Sequence, residues 1–157
     1  MPPEPIIDVN TIDQSQILVN QEGIYKINPH RFEFQLLDGI FKFEPQAGYI
    51  VGFRDARPDE FWVRGHIPGR PLFPGVLMIE TAAQLVSYYE MSCNPGKGFL
   101  GFGGVTDVKF RGQVVPGDRL IMVGKMIESR PRRCVGATQG YVRGQLVYEG
   151  LITGMWL

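Results

Sequence analysis

One histidine and one glutamate, fourteen residues apart, are the side chains of this chain best suited to proton transfer. His66 lies in a loop rich in proline and glycine, and Glu80 lies inside an apolar stretch that begins at Pro74-Gly75. An imidazole, whose ordinary pKa is ~6.5, can act as a base at neutral pH, and a carboxyl group among apolar side chains can act as an acid. The pair therefore suggests a reaction that removes one proton and delivers another beside a polarised carbonyl.

The element that must position these groups is a helix, predicted over about residues 74–91. Proline suits a helix start because its missing N–H would have no partner there, and Asn94-Pro95-Gly96 ends the apolar pattern. The first N–H groups of a helix lack intrahelical partners, so the amides of Gly75 and Val76 can donate to a carbonyl oxygen placed against them.

The same helix is apolar over nearly its whole circumference, which predicts that it is buried. Its polar residues Glu80, Gln84 and Ser87 form one narrow stripe, and Gln84 is one turn from Glu80, close enough to orient the carboxyl. Glu80 is about 7.5 Å along the axis and roughly 140° around it from Gly75. A substrate held at Gly75 would therefore not easily meet Glu80 of the same chain.

Three segments together resemble a known family. They are Gly65-His66-Ile67-Pro68-Gly69-Arg70-Pro71-Leu72-Phe73-Pro74-Gly75-Val76-Leu77-Met78-Ile79-Glu80, then Pro29-His30-Arg31 with Leu36-Leu37-Asp38, and Phe110-Arg111-Gly112-Gln113-Val114-Val115-Pro116-Gly117-Asp118. Over roughly residues 24–157 the chain resembles the 3-hydroxyacyl-[acyl-carrier-protein] dehydratases of bacterial fatty-acid synthesis. The segment around His66 is long and specific.

The resemblance implies an α+β hot-dog fold, in which an antiparallel sheet wraps around one long buried helix. It also implies dehydration of a (3R)-3-hydroxyacyl-[acyl-carrier-protein] to the trans-2-enoyl thioester, without a cofactor. His66 would be the base and Glu80 of the neighbouring subunit the acid. The implied partners are acyl carrier protein and a second copy of the chain, in a homodimer or a trimer of dimers.

The chain departs from the family pattern at three positions. Ile67 replaces the usual phenylalanine, Gly39 stands where arginine is common, and Ala82 is smaller than the residue often found there. The smaller Ala82 leaves the width of the acyl tunnel and the preferred chain length open, and none of the three changes touches the acid or the base. Ile67 and Phe73 are interpreted as substrate-binding residues together with Gly75, Val76 and Gln84. Phe99, Leu100 and Phe102 are further candidates for the tunnel wall. Core packing is an equal alternative for each of them and for Ile67 and Phe73.

Composition limits the class of protein. A chain of 157 residues forms one domain with its own core, which we predict over 21–157 after an N-terminal arm over 1–20. Sixteen basic residues balance sixteen acidic ones, which gives no indication of nucleic-acid binding. Apolar runs fall short of the ~18 residues of a membrane span, and the N-terminus lacks the pattern of a signal peptide. Two cysteines without metal-like spacing argue against a zinc site, so we expect a cytoplasmic protein with reduced thiols.

The remaining sequence predicts strands. Four are expected around 98–111, 118–129, 133–142 and 144–156, and their short connections predict antiparallel pairing. Alternating apolar residues predict earlier strand segments at 32–34 and 41–43, and a further strand at 48–53, with a turn at Pro45-Gln46-Ala47-Gly48. The arm over 1–20 is expected to be loose, with at most one short helix.

Alternatives remain at several positions. His30 is interpreted as structural, Cys93 and Cys134 as ordinary thiols, and Asp118 as a turn residue. Five basic residues could be solvated turn charges or a docking site for acyl carrier protein: Lys109, Arg111, Arg130, Arg132 and Arg133. For the whole chain, the rivals are an acyl thioesterase on the same fold and a non-catalytic hot-dog subunit that binds acyl chains.

Overall fold

A single sheet of six antiparallel strands wraps around one long helix in this chain, as the hot-dog prediction requires. The computed structural model describes residues 1–157. The helices are α1 (Gln21–Tyr25), α2 (Trp62–Gly65) and α3 (Gly75–Cys93), with short 3₁₀ helices at Val9–Thr11 and Phe32–Phe34. The strands are β1 (Gly39–Glu44), β2 (Tyr49–Asp55), β3 (Leu100–Phe110), β4 (Arg119–Ser129), β5 (Arg133–Val142) and β6 (Gln145–Trp156).

The strand order in the sheet is β1-β2-β4-β5-β6-β3. The four predicted late strands are confirmed to within two residues at each end, and so is their antiparallel pairing. β3 does not pair with β4, the next strand in sequence, but crosses to pair with β6. β3 therefore forms one edge of the sheet, and its outer side has no partner within the chain.

Helix α3 lies against the concave face of the sheet, and its predicted burial is confirmed. Ala82 and Leu85 are fully buried in a core of 22 residues. Glycines in the sheet allow this close approach: a Cβ at Gly52 would lie 2.9 Å from Leu85, and one at Gly136 would lie 2.9 Å from Val86. Neither α3 nor any other helix is long and apolar enough to cross a membrane.

The prediction of a strand segment at 32–34 is wrong. Phe32–Phe34 form a 3₁₀ turn in which Phe34 and Gln35 donate backbone hydrogen bonds to Arg31 and Phe32. Phe32 has φ 56°, a conformation that an alternating strand pattern cannot anticipate. The turn predicted between β1 and β2 is confirmed, with Gly48 at φ 81° and its N–H bonded to Glu44.

The N-terminal arm, expected to be loose, packs against the convex face of the sheet. Val9 and Ile12 are buried in a second apolar cluster that includes Phe41 and Val123. The Gln139 side chain accepts a hydrogen bond from the Ile6 N–H and donates one to the Glu4 carbonyl. The polar and proline-rich composition of the arm concealed the few apolar residues that attach it.

Candidate active site

In the loop after α2, one ring nitrogen of His66 forms a hydrogen bond with the backbone. The His66 N–H caps α2 by donating to the Trp62 carbonyl at 2.8 Å. Its Nδ1 lies 2.7 Å from the Leu72 carbonyl oxygen. A carbonyl oxygen can only accept, so Nδ1 carries the proton of the neutral ring and Nε2 presents a free lone pair. This is the tautomer that a general base requires.

Backbone strain is concentrated directly after this histidine. Ile67 has φ 60°, which is unfavourable for a β-branched residue, and Gly69 has φ 82°. The Arg70 N–H donates to the Ile67 carbonyl at 2.9 Å and closes the turn. The Ile67 side chain is exposed and lies on neither of the cavities described below. The predicted contact of Ile67 with substrate therefore has no support within one chain.

Helix α3 begins beside His66 with two free amides. Pro74 is the N-cap, and its carbonyl accepts from Leu77 and Met78, whereas the N–H groups of Gly75 and Val76 have no partner in the chain. A Cβ on Gly75 would lie 2.8 Å from the Phe110 ring, so only glycine allows this contact. A cavity of about 370 Å³ is lined by His66, Leu72, Phe73, Gly75, Val76, Met78, Phe110, Gly112, Gln113 and Val114.

Glu80 faces a different cavity, of about 150 Å³, between α3 and the strands β3 and β6. The side chain is 19% exposed. Burial raises the pKa of its carboxyl above the usual range, and the hydrogen bond from Gln84 opposes part of that rise. The cavity is lined by His30, Glu80, Ala83, Val86, Ser87, Phe99, Leu100, Gly101, Phe102, Ile152, Thr153 and Gly154.

Gln84 holds the Glu80 carboxyl in place and is itself fully constrained. Its side-chain Nε2 donates to Glu80 Oε2 at 2.9 Å and to the Phe34 carbonyl at 2.7 Å. Its Oε1 accepts from the Leu36 N–H at 3.0 Å. These three bonds determine which end of the amide is oxygen, and Gln84 is only 1% exposed. The expected orienting contact is present, and the position gives Gln84 little surface for substrate.

His30 lies on the same cavity as Glu80, which sequence reasoning did not foresee. Its Nε2 is 3.8 Å from Glu80 Oε2, and its Nδ1 is buried without a hydrogen-bond partner. Burial lowers the pKa of His30, and the charge of Arg31 lowers it further. In the sequence, His30 contributes only to the family likeness, because no local pattern relates its segment to a helix fifty residues later.

His66 and Glu80 thus line two cavities that share no residue. The candidate tunnel residues divide between them. Phe99, Leu100 and Phe102 line the Glu80 cavity. Phe73 lines the His66 cavity but is 3% exposed and packs edge-on against Trp62, with ring centroids 5.4 Å apart. Its position is mainly that of a core residue.

The basic residues do not form one surface. Arg111 pairs with Glu149 at 2.6 Å near one end of β6, whereas Arg133 pairs in register with Met155 near the other end. Glu128 forms ion pairs with both Arg130 and Arg133, at 2.8 and 3.0 Å. Arg132 is exposed and has no carboxylate within 4.0 Å. Three of the five basic residues thus lie together at the β4–β5 hairpin, and Lys109 and Arg111 lie away from it.

Asp118 and the two cysteines have the structural roles that the sequence predicted for them. Asp118 accepts from the Val115 N–H at 3.0 Å and closes the turn before β4. Cys93 and Cys134 are free thiols, and burial raises the pKa of Cys134 to about 11, which keeps it protonated and unreactive. No three side chains of the types that bind metals are grouped closely enough to hold an ion.

Comparison with known proteins identifies the family of this chain. Residues 28–151 match the family model of the FabA-like domain. The chain is 36% identical over 140 residues to a 3-hydroxyacyl-[acyl-carrier-protein] dehydratase FabZ of Lawsonia intracellularis, covering 85% of this chain and 90% of that protein. It is 34% identical over 137 residues to the same enzyme of Streptococcus pneumoniae, covering 87% and 96%.

Solved structures share the architecture at lower identity. The dehydratase heterocomplex ApeI:P from Xenorhabdus doucetiae superposes with a TM-score of 0.74 at 12% identity, over 85% of this chain and 90% of that one. A hypothetical thioesterase with coenzyme A from Streptococcus pneumoniae gives 0.63 at 13% identity, over 87% and 95%. At such identities the likeness shows the fold alone.

The wrapped sheet and its central helix define this chain as a hot-dog protein. Within that class the match over 28–151 and the identity to the dehydratases are decisive. The chain belongs to the FabA-like family of 3-hydroxyacyl-[acyl-carrier-protein] dehydratases.

Proposed function

We propose that this chain is a hydro-lyase that converts 3-hydroxyacyl-[acyl-carrier-protein] to the trans-2-enoyl thioester in fatty-acid synthesis. The observation that carries the proposal is that one cavity holds both the free Nε2 of His66 and the two unpartnered amides at the start of α3. The chain is also 36% identical to a dehydratase. The raised pKa of Glu80 adds the acid that the reaction needs.

The groups that carry out the reaction lie in two cavities, with the base and the carbonyl donors in one and the acid in the other. The thioester carbonyl accepts from the Gly75 and Val76 amides, which stabilise the negative charge that develops on its oxygen. His66 Nε2 takes a proton from C2, and the electrons of that bond form the C2–C3 double bond. Glu80 gives its proton to the C3 hydroxyl, which leaves as water. His66 is then protonated and Glu80 ionised, and exchange with solvent restores both groups.

A homodimer would bring the two halves together. β3 is an edge strand, with Leu100 to Phe102 at the Glu80 cavity and Phe110 at the His66 cavity. Antiparallel pairing of β3 with β3 of a second copy would place the Phe102 end of one strand at the Phe110 end of the other. That symmetry sets His66 of one protomer against Glu80 of its partner.

The exposed apolar residues of this edge support the same assembly. Phe102 and Phe110 of β3 are 50% and 48% exposed, and Val76, in the first turn of α3, is 69% exposed. An unpaired strand edge with large apolar side chains is a surface that native proteins usually cover. A trimer of such dimers remains part of the proposal. The two free thiols are compatible with the proposed cytoplasmic location.

Acyl carrier protein is the proposed carrier of the substrate. The name of the relatives specifies an acyl-carrier-protein thioester, and the exposed arginines of the β4–β5 hairpin offer positive charge to an acidic partner. Of these, Arg132 alone has no carboxylate partner and is the residue most available for docking.

Ultraviolet absorbance of the conjugated thioester tests the proposal. Wild-type protein should form enoyl thioester from 3-hydroxyacyl thioesters of graded chain length, and His66→Ala and Glu80→Gln should lose most turnover while remaining folded. Release of free thiol without enoyl product would instead identify a thioesterase. Unchanged behaviour of His66→Ala in every assay would identify a non-catalytic acyl-binding subunit.

A further inference from the structure

His30 lines the cavity of the proposed acid, and one of its ring nitrogens is buried without a hydrogen-bond partner. Its side chain is 21% exposed, and the buried nitrogen is Nδ1. A buried polar atom without a hydrogen-bond partner is unfavourable, so its presence calls for an explanation in the role of the other ring nitrogen. The other nitrogen, Nε2, is the one that faces Glu80.

The backbone around His30 is anchored to the helix that carries Glu80. Asn28 donates from Nδ2 to the Gln84 carbonyl at 3.0 Å. Arg31 donates from Nη1 to the carbonyls of Asn28 and His30, and from Nη2 to that of Tyr25. The guanidinium is thus used in backbone contacts and does not line the cavity, and the Asn28 bond ties the His30 segment to α3.

The position of the single ring proton follows from these contacts. On Nδ1 a proton would be buried without an acceptor, whereas on Nε2 it points toward Glu80 Oε2, 3.8 Å away. Gln84 donates to Oε2, His30 Nε2 faces the same oxygen without a hydrogen bond, and Oε1 has no partner in the chain. Oε1 is left as the oxygen that bears the acidic proton and faces the substrate.

We propose that His30 is a positioning residue for Glu80: it donates from Nε2 to Oε2 as the carboxylate forms, and it reserves Oε1 for proton delivery. The distance of 3.8 Å is slightly too long for a hydrogen bond in the resting state. When Oε1 releases its proton, the new negative charge draws the Nε2–H closer. His30 thus stabilises Glu80 in the state that follows proton transfer.

The Glu80 cavity contains no titratable group other than this pair. His30 and Glu80 are the only titratable residues that line the cavity from α3, β3, β6 or the His30 segment. Outside the cavity, the charge that acts on His30 is that of Arg31, which neighbours it in sequence and binds backbone carbonyls. The inference rests on the proposed dehydration, because the transfer from Oε1 is a step of that reaction.

Two polar substitutions separate this role from simple packing. His30→Gln places an amide nitrogen at the position of Nε2, whereas His30→Asn places one at the position of Nδ1 and cannot reach Glu80. We expect His30→Asn to lower kcat about tenfold with KM nearly unchanged, because a hydrogen bond to a charged group is lost. We expect His30→Gln to retain most of the wild-type kcat.

The pH profile provides a readout that packing alone would not move. A donor to the carboxylate stabilises its charged form and lowers its pKa, so the loss of that donor raises the pKa of Glu80. The alkaline limb of kcat, where Glu80 loses its proton, should move to higher pH in His30→Asn and stay in place in His30→Gln. Equal profiles and rates in all three proteins, or equal impairment of both variants, would overturn the proposal.

Infrared titration of the protonated carboxyl band tests the contact without turnover. The band assigned to Glu80 is the one missing in Glu80→Gln, and it should persist to higher pH in His30→Asn than in wild type. An unchanged titration would refute the contact even if activity fell. If wild type forms no enoyl product, the proposed function fails, while the infrared result still decides whether His30 acts on Glu80.

Discussion

The side-chain amide of Gln84 lies 2.9 Å from Glu80 Oε2, one turn further along α3, and the same nitrogen donates to the Phe34 carbonyl. One residue therefore connects the acid to the turn that precedes β1. The connection explains how a carboxyl in an apolar cavity keeps one orientation.

Replacing Gln84 by Leu should lower the free energy of unfolding by about 2 kcal/mol, because the Leu36 N–H and the Phe34 carbonyl lose their partner. Urea denaturation measures the change. Ser87→Ala is the matched control on the same polar stripe, since its hydroxyl contacts only the Met91 sulfur at 3.3 Å, and it should change stability by less than about 0.5 kcal/mol. Equal effects of the two substitutions would contradict this account of Gln84.

Mixing two inactive variants should restore activity if the site is shared between protomers. In a heterodimer of His66→Ala and Glu80→Gln, one site combines both substitutions and the other combines two native side chains. After co-refolding of equal amounts, half of the dimers are mixed, and each mixed dimer has one native site out of two. About a quarter of all sites should therefore be native, and the activity should be about a quarter of the wild-type value. Activity that stays at the level of the separate variants would place both residues of each site in one chain.

The amide at the start of α3 can be tested through its contact with Phe110. A Cβ at Gly75 would lie 2.8 Å from that ring, so Gly75→Ala must displace either the ring or the helix start. We expect at least about a tenfold loss of kcat, because the amide donors move away from the carbonyl. Gly65→Ala, where a Cβ meets nothing within 4 Å, is the control and should retain activity. Gly75→Ala combined with Phe110→Leu should recover part of the loss.

The buried Glu90 predicts a pH dependence of stability. It is 2% exposed and accepts from Ser129 at 3.0 Å, and burial raises its pKa above the ordinary value of 4.5. A raised folded-state pKa means that the native protein holds this proton more tightly than the unfolded chain. The stability that results is present below the ordinary pKa and is lost as pH rises through the raised one.

Glu90→Gln, which mimics the protonated form, should therefore raise the thermal midpoint at pH 8 more than at pH 4. Differential scanning calorimetry at the two pH values measures this difference. Glu128→Gln is the control, because its carboxylate pairs with Arg130 and Arg133 and its loss should bring no gain at pH 8. A midpoint gain for Glu90→Gln that is equal at both pH values would argue against proton binding as its cause.

Docking of the carrier protein should depend on the β4–β5 hairpin. Arg132→Glu with Arg133→Glu should lower kcat/KM for substrate on acyl carrier protein and leave short thioester analogues nearly unaffected, because charge complementarity acts on the encounter with the protein partner. Lys42→Glu, on β1 at the edge of the sheet opposite β3, is the control outside the hairpin. Equal loss on both kinds of substrate would contradict docking at this hairpin.

Local sequence was enough to predict several parts of the molecule. The helix at 75–93, the late strands and the turn at Gly48 follow from apolar periodicity, proline and glycine, which act over a few residues. The free amides of Gly75 and Val76 follow from the helix start. The nearness of Gln84 to Glu80 follows from helical spacing alone.

Contacts between distant segments depended on the tertiary structure. The attachment of the N-terminal arm, the crossing of β3 to β6 and the placement of His30 beside Glu80 all join residues far apart in sequence, where no local period operates. The direction of the His66 ring was set by the Leu72 carbonyl after a strained turn at Ile67. Sequence determined which groups could do the chemistry, and the packing of α3 against the sheet decided which cavity each group faces, because burial and hydrogen bonding act between elements.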